Sequence, residues 1–311
     1  MNKQEFYYLS ADGVTNIHAS KWLPEGKPKA VLQIVHGMTE YAGRYDAFAD
    51  FLTQHGYLVV AEDHLGHGLS VQDKSYYGYF GDNGNEWIIQ DIHHLRKETQ
   101  AENPNIPYMM LGHSMGSFLV RQYVTEGDAS YANGLAGVIV MGTGWQPAAI
   151  LAMGKVVAGS LGTKTREKRS KLLEMMAFGT YLSKIDKPQS SKDWLTKDRE
   201  IIDKYRKDPL CMFHFTPNAF YHMFRGMQKA HDLKRMQKLP EGLPILFVSG
   251  AEDPVGNWGE AVRKAFIVYT DNTKCDVQIK LYLDDRHEIL NEIDKDQVWA
   301  DMLEFLDGCI K

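Results

Sequence analysis

The sequence predicts an α/β chain: a mostly parallel sheet of about eight strands, helices on both faces, an opening hairpin and a helical insertion. Three observations predict it. Short apolar runs such as Ala30–His36 (AVLQIVH) and Tyr57–Asp63 (YLVVAED) alternate with longer segments of helical spacing, as in strands buried on both faces by crossover helices. A glycine-flanked serine, Gly112-His113-Ser114-Met115-Gly116, stands between a short apolar run and a helix. From about Trp145 to Gln237 no convincing strand occurs, and that interval is too long for a loop.

Each element follows from its residues. Phe6–Leu9 and Asn16–Trp22 flank the Asp12-Gly13 turn and read as a hairpin that supplies an antiparallel edge. Between the first two buried strands, Ala47, Phe48, Phe51 and Leu52 share a helical face over Tyr45–His55, which stops at Gly56. Trp87, Ile88, Ile92 and Leu95 do the same over Glu86–Ala101, before the strand Tyr108–Gly112. Gly137–Met141, Ile245–Ser249 and Val277–Leu283 complete the sheet, and Val298, Met302, Phe305 and Leu306 mark a closing helix over Asp296–Ile310. Residues 1–144 and 238–311 then form the core, and 145–237 a helical cap. Sites of such sheets lie at the carboxyl ends of the strands, so the cap is expected there.

Composition narrows the function. The 311 residues carry a net charge of −5 and are 44% hydrophobic and 24% charged, ordinary for a globular chain. An acidic balance argues against a nucleic-acid partner, because phosphate binding needs a basic face. Cys211, Cys275 and Cys309 are too few and too scattered for a disulfide framework or a zinc knuckle. A reducing, cytoplasmic setting is expected. The first residues, MNKQEFYYLSADG, lack the apolar core of a secretory signal, and no run of eighteen apolar residues occurs. Transient contact with a membrane surface stays open.

The chemistry centres on Ser114. A G-x-S-x-G turn between strand and helix presents the serine hydroxyl at the sheet edge, with a helix N-terminus behind it. Acyl transfer also needs two oxyanion donors. One is expected from the N–H of Met115, which follows the serine; the other from Met38, in His36-Gly37-Met38 directly after a strand. An acid and then a histidine should follow in the chain. Asp253 lies four residues past Ile245–Ser249, and His287 four residues past Val277–Leu283. Glu252 is the nearest rival acid; Asp284 and Asp285 are expected to be solvated turn charges. His64 and His67, three apart, have no carboxylate or cysteine cluster around them, so no metal is expected. No phosphate-cradling loop follows a strand, and no cofactor is implied.

These residues resemble a known family. His36-Gly37-Met38 with Glu40 and Gly43-Arg44-Tyr45, then Asp63–Ser70, Gly112–Gly116, Gly250–Pro254 and Arg286–Glu288 with Asn291-Glu292 are similar to the α/β-hydrolase superfamily, in its monoacylglycerol lipase and lysophospholipase group. The resemblance implies an α/β-hydrolase fold, a triad of Ser114, Asp253 and His287, oxyanion donors at Met38 and Met115, and a cap between the sixth and seventh strands. One departure is Leu65, where many relatives carry arginine.

The expected function is therefore cleavage of a carboxylic ester through an acyl-enzyme on Ser114, with a lipid-like monoester such as a monoacylglycerol or lysophospholipid as substrate. Phe213, Phe215, Phe220 and Phe224, with the Ala- and Met-rich stretches Ala148–Ala158 and Leu172–Phe178, are candidates to line an acyl pocket, or else ordinary cap packing. The basic run Lys164, Arg166, Lys168, Arg169 and Lys171 reads as a solvated helix face or as a surface for anionic lipid. Three alternatives keep the fold: a short-chain carboxylesterase, an aminopeptidase with a cap carboxylate for the free amine, or a non-catalytic binder of hydrophobic ligands. A serine at the elbow, in place of aspartate, argues against dehalogenase and epoxide-hydrolase chemistry.

Overall fold

A computed structural model describes residues 2–310. The hairpin comes first: β1 (Asn2–Leu9) pairs antiparallel with β2 (Asn16–Leu23) along its full length, Asn2 opposite Leu23 and Leu9 opposite Asn16. It begins four residues earlier than the apolar pattern marks, because cross-strand pairing extends it through Asn2–Glu5. Asp12 closes its loop, accepting from the N–H groups of Val14 and Thr15 at 2.8 Å each.

The core then alternates strand and helix: β3 (Ala30–Val35), α1 (Asp46–Gln54), β4 (Tyr57–Glu62), α2 (Gly84–Glu102), β5 (Tyr108–His113), α3 (Met115–Tyr123) and β6 (Leu135–Met141). Five helices follow before the next strand: α4 (Ala148–Ser160), α5 (Lys171–Phe178), α6 (Arg199–Lys207), α7 (Pro217–Ala230) and the short α8 (Leu233–Met236). β7 (Pro244–Gly250), α9 (Glu260–Asn272), β8 (Asp276–Tyr282) and α10 (Lys295–Gly308) complete the chain.

All eight strands join one sheet in the order β1-β2-β4-β3-β5-β6-β7-β8, and only β2 runs against the rest. Alternate residues feed two cores. Val31 and Val35 of β3 face the side covered by α2, α3 and α9, through Ile88, Ile92, Val120 and Val262. Leu32 and Ile34 face α1 and α10, through Phe48, Leu52, Val298 and Met302. Burying an aliphatic side chain of this size stabilises the fold by about 1.5–3 kcal/mol, which is why β3 to β5 carry apolar residues on both faces. β8 is an edge strand, and its residues alternate between exposed and half-buried up to Leu281, with Tyr282 buried at its end.

The chain leaves β3 toward β4 on one side and reaches β5 on the other. The strand order therefore reverses at β3 and β5, the place beyond whose carboxyl ends sheets of this kind bind their ligands. The loop 36–41 and the Ser114 turn meet there.

Candidate active site

Ser114 has φ 55° and ψ −119°, a backbone conformation that L side chains rarely adopt. Its N–H donates to Met141 O at 3.0 Å, and Ser117 Oγ donates to its carbonyl at 2.6 Å. The turn also needs Gly116: a Cβ there would lie inside the carbonyl oxygen of Val35. Helix α3 thus packs its first turn onto the end of β3 and leaves Ser114 at the crest.

The loop after β3 approaches equally closely. A Cβ at Gly37 would sit 2.8 Å from Ser114 Cβ. The Gly37 N–H is taken by Glu40 Oε1, as the Ser114 N–H is taken by Met141. The next N–H along each segment belongs to Met38 and to Met115.

Asp253 and His287 arrive from the loops after β7 and β8. His287 Nδ1 and Asp253 Oδ2 are 2.9 Å apart. Asp253, fully buried, also accepts from Ser249 Oγ at 3.1 Å and from the Val255 N–H at 2.8 Å. The His287 ring lies 4.7 Å, centroid to centroid, from that of His113, which directly precedes Ser114. Glu252 points elsewhere: it pairs with Lys197 Nζ at 3.0 Å.

This catalytic-type arrangement sits in a chain whose kinship is plain. The family model described as "Serine aminopeptidase, S33" (Hydrolase_4) matches residues 26–294. The chain belongs to this family. It is an α/β-hydrolase of the group that contains the monoacylglycerol lipases. It is 25% identical to the monoglyceride lipase of Rattus norvegicus over 290 residues, covering 92% of this chain and 84% of that protein. It is 25% identical to the monoacylglycerol lipase of Mycolicibacterium smegmatis over 98% of this chain and 97% of that one. Among solved structures, a thermostable carboxyl esterase from Bacillus coagulans in complex with glycerol aligns over 100% of both chains, with TM-score 0.90 and 30% identity.

The α/β-hydrolase carries around this site a buried ionic network whose roles the sequence left unassigned. Glu40 Oε1 accepts from His113 Nδ1 at 2.8 Å and from Tyr45 O–H at 3.0 Å, and Glu40 Oε2 lies 3.3 Å from Arg44 Nη1. Arg44 in turn forks onto Glu288 at 2.6 and 2.7 Å. Burial alone would push Glu40 up, but the His113 and Arg44 charges hold its carboxyl well below the usual range. Burial alone would lower His113, but Glu40 raises it. Glu40, Arg44 and Glu288 were legible as parts of quoted motifs, but nothing in those motifs said that they meet.

The segment between β6 and β7 also reaches the site. The Trp194 ring lies 5.0 Å from that of His287, and the backbone N–H of Glu288 donates to Leu195 O at 2.7 Å. Arg286 donates to Asp193 O at 2.6 Å. No sequence signal singled out Trp194.

Other expectations need correction. Asp285 is buried, not solvated; only Asp284 is exposed. The turn folds back against β7, where Asp285 O accepts the Glu252 N–H at 2.9 Å. Burial, then Asp294 and Glu292, raise the Asp285 carboxyl. Phe215 and Phe220 are fully buried and pack edge-on with each other, Phe215 also against Phe80 and His67. Their aromatic side chains close over one another. Phe224 stacks on Phe220 and lies under Gly154 of α4. Phe213 is half-buried beside Tyr77 and His67.

His64 and His67 are structural. His64 stacks on His36 with centroids 4.0 Å apart, and His67 meets His36 edge-on. Burial lowers His36 to about 3 and His64 to about 4, so both stay neutral. Cys211 is buried and its thiol is raised, by burial first.

Proposed function

We propose that the protein hydrolyses carboxylic esters through an acyl-enzyme on Ser114, with His287 as general base and Asp253 as its orienting acid. The observation that carries this is the 2.9 Å contact between His287 Nδ1 and the fully buried Asp253. It fixes the tautomer that leaves Nε2 as the basic nitrogen, on a loop beside the strained serine turn. Ser114 Oγ attacks the ester carbonyl and gives its proton to His287. The Met38 and Met115 N–H groups hold the oxyanion. The tetrahedral adduct collapses, and the imidazolium returns the proton to the leaving alcohol. Water, deprotonated by His287, then attacks the acyl-serine and releases the acid.

The preferred substrate is a lipid-like monoester. The monoglyceride lipase of Rattus norvegicus and the monoacylglycerol lipase of Mycolicibacterium smegmatis match over 92% and 98% of this chain. Segment 145–237 serves as the cap over the site, and its α4 presents Ile150, Met153 and Val156 to solvent, which suits an apolar substrate. An aminopeptidase would need a free cap carboxylate for the amine. The one beside Trp194, Asp193, already accepts from Ser190 Oγ and the Gln189 N–H and pairs with Arg199. The 30% identity to a carboxyl esterase favours a second reading, a short-chain esterase. The reducing setting rests on Cys211, Cys275 and Cys309 being separate free thiols.

The test compares wild type with Ser114→Ala on glycerol monoesters from short to long acyl chains. Turnover should fall at least about 10⁴-fold in the variant with melting unchanged. Full activity in Ser114→Ala overturns the mechanism. A rate maximum at the shortest chains moves the substrate to the short-chain class.

A further inference from the structure

The three groups of the proposed reaction sit on three separate loops, after β3, β5 and β8. Hydrogen bonds within the sheet fix the strands but not the loops beyond their ends. The oxyanion donor, nucleophile and base must nevertheless agree to a fraction of an ångström. One buried carboxylate touches the first of these loops and the last residue of β5, where the second begins. Glu40 Oε1 accepts the N–H of Gly37, the residue before the proposed donor Met38, and Nδ1–H of His113, the residue before Ser114. Its other oxygen faces Arg44, whose guanidinium grips Glu288 through both nitrogens. Glu288 is the residue after His287, and Asn291 Nδ2 donates to it at 3.1 Å.

Each loop is thus held at the residue adjoining its functional group. Glu40 and Glu288 are nearly fully buried, so these bonds are shielded from water and salt and keep their strength. A fork-to-fork arginine–carboxylate pair adds a defined orientation, which a single point contact does not. Tyr45 O–H, just before α1, donates to Glu40 as well.

We propose that Glu40 is a positioning residue for ester hydrolysis, setting the Met38 N–H against Ser114 through Gly37 and His113, and against His287 through Arg44 and Glu288. Glu40 touches neither substrate nor reacting atoms, so its loss should act on the transition state and leave substrate binding alone. The proposal rests on the reading of Ser114 as nucleophile.

The test is Glu40→Gln, which keeps the volume but cannot accept from Gly37, His113 and Arg44 at once. Active sites are first counted by stoichiometric release from a chromogenic organophosphate. The expected result is one reactive serine per chain, kcat lower by about 100-fold, and KM within about twofold of wild type. A merely structural role would lower the count of active sites and leave kcat per site unchanged. Wild-type kcat at a full count overturns the proposal. If Glu40→Gln yields no folded chain, Arg44→Lys decides, since it keeps the charge and loses only the fork onto Glu288. Its kcat should fall about tenfold at unchanged KM, and wild-type kcat there also overturns the proposal. A wild-type chain that turns over esters but takes no organophosphate on Ser114 sinks the nucleophile reading, and this proposal with it.

Discussion

Ser114 holds a backbone conformation that costs about 1–3 kcal/mol for a residue with a side chain, and its neighbours make that conformation obligatory. Gly116 is one of them: Gly116→Ala forces a methyl onto the Val35 carbonyl. It should destabilise the fold by about 3 kcal/mol or more, read as a lower urea midpoint at unchanged slope. At Asp253 the expectation is kinetic. Asp253→Asn keeps the shape but presents an amide where His287 Nδ1–H needs an acceptor. A fall of about 10⁴-fold in kcat with a small change in melting is expected; a loss below tenfold would deny Asp253 its orienting role. The glycine-flanked serine was legible because steric need restricts those positions to glycine. Asp285 was not, because a turn aspartate looks the same in sequence whether its loop faces water or folds back on β7.

At the scale of elements, the helices begin where their caps say they should. Thr216 accepts from the Ala219 N–H at 3.1 Å with Pro217 at the first helical position, and its hydroxyl also donates to Gly78 O at 2.6 Å. The same residue starts α7 and ties it to the loop 77–81 of the core. Thr216→Ala should cost about 1–2 kcal/mol, measured by thermal unfolding; a change below about 0.5 kcal/mol would mean that the cap and the tie are both dispensable. The strands were legible from apolar runs of the right length, and their ends moved by a few residues once hydrogen-bonded partners were present. Helices α4 to α8 were legible as a strand-free interval. Which helices they pack against was not: α7 lies against α2 and α3 through small residues such as Gly226, which faces Asn85 and Gln122, and contacts of that kind leave no periodic trace.

For the molecule as a whole, buried titratable groups set how stability follows pH. Burial lowers His36 to about 3, His64 and His222 to about 4 and His231 to about 2. Each contributes stability that is present above the ordinary value near 6.5 and lost as pH falls toward the folded value. Burial raises Glu62 to about 8 and Asp91 to about 7. Each of these contributes stability that is present at low pH and lost as pH rises through the raised value. Below about 6.5 the lowered histidines, His67 among them, outnumber the raised carboxyls, Asp285 and Glu292 among them, and above it only the raised groups act. The melting temperature should therefore peak near pH 6.5 and fall on both sides, toward pH 5 and toward pH 8.5. A melting temperature that falls steadily from pH 5 upward would contradict the neutral histidine stack, and a steady rise across that range would contradict the raised carboxyls. Among the described residues no helix is long and apolar enough to cross a membrane.

The central claim is an activated serine at the turn between β5 and α3. The most direct measurement exposes the native chain to a fluorophosphonate and maps the adduct by peptide mass spectrometry. A single adduct on Ser114, lost when His287 is replaced by alanine, is the predicted result. Labelling of Ser114 that is equally fast without His287, or no labelling of Ser114 in the folded chain, would contradict it.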